Sequence, residues 1–189
     1  MARKEPSTVL IEPLEDLSAT DPRIREMLDY WRARSPCQVP ARADLDPLLD
    51  IPHLAPDLFM VDVISGGADF VVRLVGTRLV ERYGRDTTGM SILELSSGTY
   101  LEAILALMRA CLQRRRPIYS VTDYLHPEKS HLTVERLIVP LRHHGPEVEI
   151  LLVLQLFHAP SETKPDLHSD VLADVAQETT TAKFRAFVL

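Results

Sequence analysis

The strand predicted over residues 148–157 places the strongest constraint on how this chain folds. Successive side chains of a strand point to opposite faces of its sheet, and here both faces are apolar. A strand that is apolar on both faces has to be covered on both faces. One face carries Val148, Ile150, Leu152 and Leu154, and the other carries Leu151, Val153 and Phe157.

Two predicted helices are candidates to cover this strand. The longer spans residues 98–112, where apolar side chains recur every three or four residues. The other begins at Asp21, with Pro22 in the first helical position, and ends before Pro36. If the longer helix covers one face, the other face needs the apolar stripe of the N-terminal helix, a second copy of the protein, or both. From this requirement we predict a homodimer. The stripe consists of Ile24, Met27, Leu28 and Trp31.

Residues 69–90, between these helices, predict a strand, a short helix and a glycine-bounded loop. The strand is an apolar run rich in β-branched residues that ends at Gly76, and Thr77 is placed to cap the helix. Gly84 and Gly89 bracket a polar loop, where glycine permits turns that other residues resist. This combination favours a small α+β sensory or binding fold over a catalytic scaffold.

The chain divides into one domain with two appendages. Residues 1–19 lack sustained periodicity and are predicted to form a flexible N-terminal arm. Residues 20–158 form the domain, and residues 159–189 form a C-terminal tail. The last six residues of the tail either add to a sheet or bind a partner. Within the domain, further strands are predicted over residues 58–64, 118–124 and 133–141, with a short helix over residues 91–95.

Charge and hydropathy predict the cellular compartment of the protein and disfavour two classes of partner. The formal net charge is −6, which disfavours a nucleic-acid surface because phosphate contacts need clustered cations. No apolar run is long enough to cross a bilayer, and the N-terminus lacks a secretory pattern. We therefore predict a cytoplasmic protein that binds neither nucleic acid nor membrane.

Motifs for metal, nucleotide and thiol chemistry are incomplete in this sequence. Asp44, Asp46 and Asp50 lack the glycine and glutamate of an EF-hand loop, so we interpret them as turn and capping residues. Gly84 and Gly89 have the spacing of a phosphate-binding loop without its lysine. Neither the cysteines nor the histidines show a metal-binding spacing, so we predict no metal site and name no cofactor.

Several blocks of the sequence together resemble the PAS-domain family, specifically its stand-alone bacterial, alphaproteobacterial-type subgroup. The resemblance extends over residues 21–157 in the right order. It implies a PAS-like α+β fold of about five antiparallel strands, with helices over one face and an N-terminal amphipathic helix that often mediates dimers. It also implies sensing or scaffolding in signal transduction and no catalysis. The matching blocks are residues 30–31, Arg42 with residues 44–47, residues 58–63, residues 70–89, residues 116–119 and residues 135–141.

Two details depart from relatives of this family. Val71 and Val72 stand where the subgroup often has an aromatic residue, so the pocket shape of relatives does not transfer. Light-sensing PAS domains need a cysteine near the glycine-bounded loop for their cysteinyl–flavin chemistry, and none lies between Tyr83 and Leu95.

Arg73, Tyr83, Tyr119 and Arg136 are the candidate ligand-binding residues. Both arginines lie in strands with apolar neighbours, and a buried arginine needs an anion or a carboxylate beside it. In one interpretation the arginines hold an acidic ligand, with Tyr83 or Tyr119 nearby. In the other they pair inside the protein with acidic side chains, namely Asp62, Asp123 or Glu135.

We predict a non-catalytic sensory or regulatory module that binds a small molecule or a signalling partner. Its signal passes by protein association, through the N-terminal helix or the C-terminal tail. One alternative is a small enzyme that acts on an acidic metabolite in a curved α+β sheet, with His53 or Asp123 at a cavity mouth. The other is a pure protein-interaction scaffold with a filled core.

Overall fold

The computed structural model describes residues 11–13, 16–35, 38–126, 129–158 and 181–189, and the side chains of 123–132 and 181–184 are not considered. These residues form one mixed sheet with helices on both faces. The helices are α1 (Pro22–Ala33), α2 (Pro47–Asp50), α3 (Thr77–Tyr83), α4 (Ile92–Leu95) and α5 (Gly98–Arg114). The strands are β1 (Ile11–Pro13), β2 (Leu58–Ile64), β3 (Asp69–Val75), β4 (Ile118–His126), β5 (Lys129–Arg142), β6 (Val148–His158) and β7 (Thr181–Val188).

The sheet has seven strands in the described residues, in the order β1-β7-β4-β5-β6-β2-β3. Strands β2 to β6 pair antiparallel, as predicted for a five-stranded PAS-like sheet. The prediction of about five strands is too low, because both ends of the chain contribute another strand. Strand β7 pairs antiparallel with β4, and β1 pairs parallel with β7. Of the two roles left open for the final residues, the structure shows addition to the sheet.

Helix α1 lies on one face of the sheet and α5 on the other. The apolar stripe of α1 is buried, and its Trp31 Nε1 donates a hydrogen bond to the Pro140 carbonyl oxygen of β5 at 2.9 Å. Asp21 is the N-cap and accepts from the Arg23 amide, as the sequence predicts. On the opposite face, α5 buries Ile104, Met108 and other residues of its predicted apolar side.

Strand β6 is covered on both faces within one chain. Leu152 and Leu154 pack in the cluster that contains α1, whereas Leu151 and Val153 pack in the cluster that contains α5. Of the covers considered for the second face, the structure uses the α1 stripe. The argument for a second copy as a cover therefore falls away, and the homodimer stays a prediction.

The stretch at residues 69–90 forms β3, α3 and a loop, with one correction at the start of the helix. The N-cap is Gly76 and not Thr77, which is already the first helical residue. A Cβ at Gly76 would lie 2.3 Å from the Pro56 carbonyl oxygen, so the close approach of these two backbones requires glycine. Gly84 ends α3 with φ of 69°.

The aspartates that precede β2 serve as hydrogen-bond acceptors. Asp44 accepts from the Ala41 amide, and Asp50 accepts from the Tyr30 hydroxyl and from Arg34. The Asp44 contact is the local capping role predicted, whereas Asp50 instead connects α2 to α1, and the Asp46 side chain makes no capping hydrogen bond at the start of α2. Within the described ranges, no helix combines the length and apolarity needed to cross a membrane.

Candidate ligand-binding site

A cavity of about 100 Å³ lies between the sheet and helices α3 to α5. It is partly open to solvent. Every strand from β2 to β6 except β4 contributes lining residues, together with the loop after α3 and the helices themselves. The apolar walls are Phe59, Val72, Val75, Ile92, Leu95, Ile104, Met108, Ile138 and Val153.

Two buried polar side chains of the central strands line one part of the cavity. Arg136 on β5 and Gln155 on β6 are direct partners in the strand register and are only 2% and 3% exposed. Arg136 Nε donates to Gln155 Oε1 at 2.6 Å, and Gln155 Nε2 donates to the Tyr83 hydroxyl at 2.6 Å. The guanidinium also donates to the Tyr100 hydroxyl at 2.9 Å and to Thr122 Oγ1 at 3.0 Å. A hydrogen-bonded cluster thus connects the sheet to α3 and α5.

Burial keeps the Tyr83 hydroxyl of this cluster protonated. It raises the pKa of Tyr83 above its usual value, so the phenol stays neutral at any physiological pH. The guanidinium of Arg136 cannot lose its proton in a protein. Arg136 and Tyr83 therefore present one fixed positive charge and one neutral hydroxyl to the cavity.

The four predicted ligand-binding residues do not lie together. Arg136 and Tyr83 line the cavity and are connected through Gln155. Arg73 lies on β3, with its side chain 41% exposed, and pairs with Asp62 on β2 at 2.6 Å. Internal pairing, the second interpretation of the arginines, therefore holds for Arg73.

Tyr119 lies on the other face of the sheet, beside α1. Its hydroxyl donates to Glu135 Oε2 at 2.8 Å, and the same oxygen accepts from the Asp21 amide at 3.3 Å. His158 Nε2 lies 3.1 Å from Glu135 Oε1. Glu135 thus joins the N-terminus of α1 to the central strands.

One of the two residues proposed for the enzyme alternative is corrected by the structure, and the other is not tested. His53 pairs with Glu26 of α1 at 2.9 Å, and neither residue lines the cavity. The side chain of Asp123 lies outside the described part of the structure. Among the described lining residues there is no histidine, carboxylate or thiol.

Comparison with known protein families finds a match for this chain. The profile of a family described as PAS domain matches residues 19–155, which is more than half of the chain. The chain belongs to the PAS domain family. PAS domains are in general sensory modules without catalytic activity. A comparison with curated proteins finds none that matches.

Solved structures resemble this PAS domain only distantly. The Vibrio cholera VqmA–ligand–DNA complex shares 12% identity at a TM-score of 0.44, over 60% of this chain and 52% of that one, about half its length. The Rhodobacter sphaeroides LOV protein shares 13% identity at a TM-score of 0.43, over 82% and 93%. A PAS domain from Colwellia psychrerythraea shares 14% identity at a TM-score of 0.41, over 61% and 99%.

Sequence reasoning missed several polar residues of the PAS cavity, and Gln155 and Tyr100 are the two that hydrogen-bond within the cluster. Gln155 had a detectable signal, because it is a single amide in the otherwise apolar run of β6. A buried amide needs hydrogen-bond partners, so an isolated glutamine in a core strand points to a polar cluster. Tyr100 had no comparable signal, since it lies near the exposed start of α5 among mixed residues.

Proposed function

We propose that this PAS domain is a sensory module that binds a small molecule in the cavity between its sheet and helices α3 to α5. The observation that carries the proposal is the buried Arg136–Gln155–Tyr83 cluster beside unfilled apolar space. Ligand sites in proteins commonly combine apolar walls with a few convergent polar groups.

The cavity argues against a pure scaffold, one of the two alternatives. Protein interiors are packed as densely as organic crystals, and a domain that only needs a core gains stability by filling it. A buried charged group also costs free energy unless its hydrogen bonds compensate for the lost water. Retaining both an unfilled space and a charged cluster at its wall favours a binding role.

The cavity also favours binding over catalysis. General acid–base chemistry at neutral pH needs a group such as histidine or a carboxylate with a pKa near that pH. The described lining contains neither, and its ionisable groups are two arginines and two tyrosines, Arg85, Arg136, Tyr83 and Tyr100. Arg136 and Tyr83 are thus our proposed ligand-contacting residues, and Arg73 and Tyr119 are not.

Strand β5 offers a route from the cavity to the N-terminal helix. Arg136 faces the cavity, and its neighbour Glu135 contacts the start of α1 on the opposite face. We propose that a ligand that shifts β5 alters how α1 is held, and that the result is read by association with another protein or a second copy. The surface we propose for this association is α2, because it is bonded to α1 and exposes two leucines. Asp50 of α2 bonds to Tyr30 of α1, and Leu48 and Leu49 are 50% and 79% exposed.

The association step is testable at the exposed leucines. We expect Leu49→Glu to weaken self-association in sedimentation equilibrium, while the fold is unchanged by circular dichroism. An unchanged oligomer would remove α2 from the interface, and a monomeric wild-type protein would contradict the predicted homodimer.

Native mass spectrometry of two matched variants tests the binding step. The protein is purified from its own host as wild type, Arg136→Met and Arg73→Met. We expect the wild type and Arg73→Met to retain a bound small molecule and Arg136→Met to lose it, because Arg136 lines the cavity and Arg73 does not. Equal retention by both variants would contradict the site. The proposed function would be contradicted by a wild-type protein that retains no small molecule and that binds none of four small aromatic probes, namely benzoate, benzaldehyde, toluene and benzylammonium.

A further inference from the structure

The hydrogen bonds of the cavity cluster have a single possible direction. A guanidinium is only a donor, so the Gln155 atom 2.6 Å from Arg136 Nε has to be the amide oxygen. The amide nitrogen of Gln155 then faces Tyr83, and it has no lone pair with which to accept. It therefore donates to the Tyr83 oxygen, 2.6 Å away.

This direction determines what Tyr83 offers to the cavity. Its oxygen already accepts from Gln155, so its own proton points elsewhere. In the part of the chain that the structure describes, that proton has no acceptor. The series that begins at the fixed charge of Arg136 therefore ends in an O–H donor at the cavity wall, and hydrogen bonds in series strengthen one another.

The charges around the cavity also favour a ligand group that accepts hydrogen bonds over one that only donates them. Arg136 and Arg85 both line it, and the described lining includes no carboxylate. A positive potential inside a low-dielectric wall attracts negative groups and repels cations. A ligand group that is itself only a donor meets neither an acceptor at Tyr83 nor a favourable potential.

We propose that the ligand is a small apolar molecule that carries a hydrogen-bond acceptor, a carbonyl or a carboxylate, and no donor on that group. The acceptor meets the Tyr83 hydroxyl, and the apolar body lies against Ile104, Met108 and Val153. The inference rests on the proposed binding function and specifies its chemistry. An engineered protein cavity of about 150 Å³ accepts a benzene ring, so a partly open cavity of about 100 Å³ limits the ligand to about one ring or a short chain.

Four probes with the same ring and different polar groups test the inference. Benzoate and benzaldehyde carry acceptors, toluene carries neither kind of group, and benzylammonium carries donors only. Dissociation constants are measured by ligand-observed NMR on the full chain. We expect both acceptors to bind about tenfold more tightly than toluene, which corresponds to about 1.4 kcal/mol, and benzylammonium to bind more weakly than toluene.

Two variants locate the preference at Tyr83. Tyr83→Phe removes the donor, so the advantage of the neutral acceptor benzaldehyde over toluene disappears, whereas benzoate keeps the part that comes from the charges of Arg85 and Arg136. Tyr119→Phe is the matched control on the other face, and it leaves the wild-type order unchanged. Persistence of the benzaldehyde preference in Tyr83→Phe would overturn the inference.

Gln155→Glu reverses the direction of the hydrogen bond between residue 155 and Tyr83. It keeps both hydrogen bonds of residue 155, so it tests the inference in a variant that we expect to remain folded. The introduced carboxylate accepts from Arg136 with one oxygen and from the Tyr83 hydroxyl with the other. Tyr83 then presents a lone pair to the cavity. We expect this variant to fold, to bind benzaldehyde about tenfold more weakly than wild type, and to gain affinity for benzylammonium. A folded variant with wild-type preferences overturns the inference.

The probe set also separates this inference from the function on which it rests. If all four probes bind the wild type equally, the acceptor rule is wrong and the binding function stands. If none of the four binds and the host-purified protein carries no small molecule, the binding function itself is wrong.

Discussion

Glu135 and Arg136 are neighbours on β5 and lie on opposite faces of the sheet, in surroundings that differ in kind. On the α1 face, the negative charge of Glu135 is matched by Tyr119, His158 and the Asp21 amide, and apolar side chains fill the space around it. On the α5 face, Arg136 lies in a donor-rich cluster beside unfilled space. One strand thus supports a structural face and a binding face, and three predictions test how far the two differ.

The largest expected difference is in the cost of removing core side chains. Leu28 of α1 is fully buried, and Leu28→Ala should lower the free energy of unfolding by about 3–4 kcal/mol. Ile104→Ala, at the wall of the cavity, should cost only about 2 kcal/mol, because part of its surface already lacks packing partners. Urea unfolding of both variants gives the two values. Equal losses would show that the cavity wall is packed as tightly as the α1 face.

A smaller difference separates the two arginines that look alike in the sequence, Arg136 and Arg73. Arg136→Met leaves Gln155 Oε1 without its donor in a buried site, which should cost about 1–3 kcal/mol. Arg73→Met removes an exposed ion pair with Asp62 and should cost at most about 1 kcal/mol. The midpoints of urea unfolding compare them directly. A larger cost for Arg73→Met would contradict the assignment of Arg136 to the buried cluster.

The smallest expected effect is a pH dependence confined to the α1 face. Pairing with Glu135 raises the pKa of His158, against burial and Arg23, with a smaller contribution from Asp21. Burial alone would raise the pKa of Glu135, but the pairing with His158 and the hydrogen bonds from Tyr119 and the Asp21 amide hold it below its usual value.

The signs of these shifts define a pH window. The His158 contribution is complete below its unfolded pKa of about 6.5 and is lost as pH rises through the higher folded value. The Glu135 contribution is complete above about pH 4.3 and is lost as pH falls through the lower folded value. Stability from this pair should therefore be greatest between about pH 4.3 and 6.5.

Substitution of His158 isolates the upper limit of that window. His158→Gln should remove the loss of stability that sets in as pH rises above about 6.5, an effect below about 1 kcal/mol because the side chain is 34% exposed. His143→Gln, in the turn between β5 and β6, is the control and should leave the pH profile of wild type unchanged. Thermal unfolding across this pH range measures both. A profile that His158→Gln does not alter would show that the ion pair contributes nothing to holding α1.

Much of the fold was predictable because it depends on local periodicity. The apolar stripe of α1, the long run of α5 and the two-faced character of β6 are readable from residue spacing alone, and the structure confirms each. Strand β1 was not predicted, and for the last six residues addition to a sheet was one of two options, because short terminal segments become strands only when a distant edge pairs with them.

The candidate site was only half predictable. Arg73 and Arg136 look alike in sequence, since each is a lone cation in an apolar strand. They differ because β3 is at the sheet edge and β5 is near its centre, which is a property of strand order. Tyr119 and Gln155 differ for another reason that the sequence does not show. Their strands turn Tyr119 to the α1 face and Gln155 to the cavity.

The amino-acid sequence by itself determined the central helices and strands, their apolar faces and the need for cover on both sides of β6. These follow from side-chain periodicity, which acts over a few residues. Only the tertiary structure decided that α1 provides the second cover, that Arg136 meets Gln155 and Tyr83, and that space remains beside them. Those outcomes depend on the pairing of strands far apart in the chain, and no local pattern specifies which distant residue a side chain will meet.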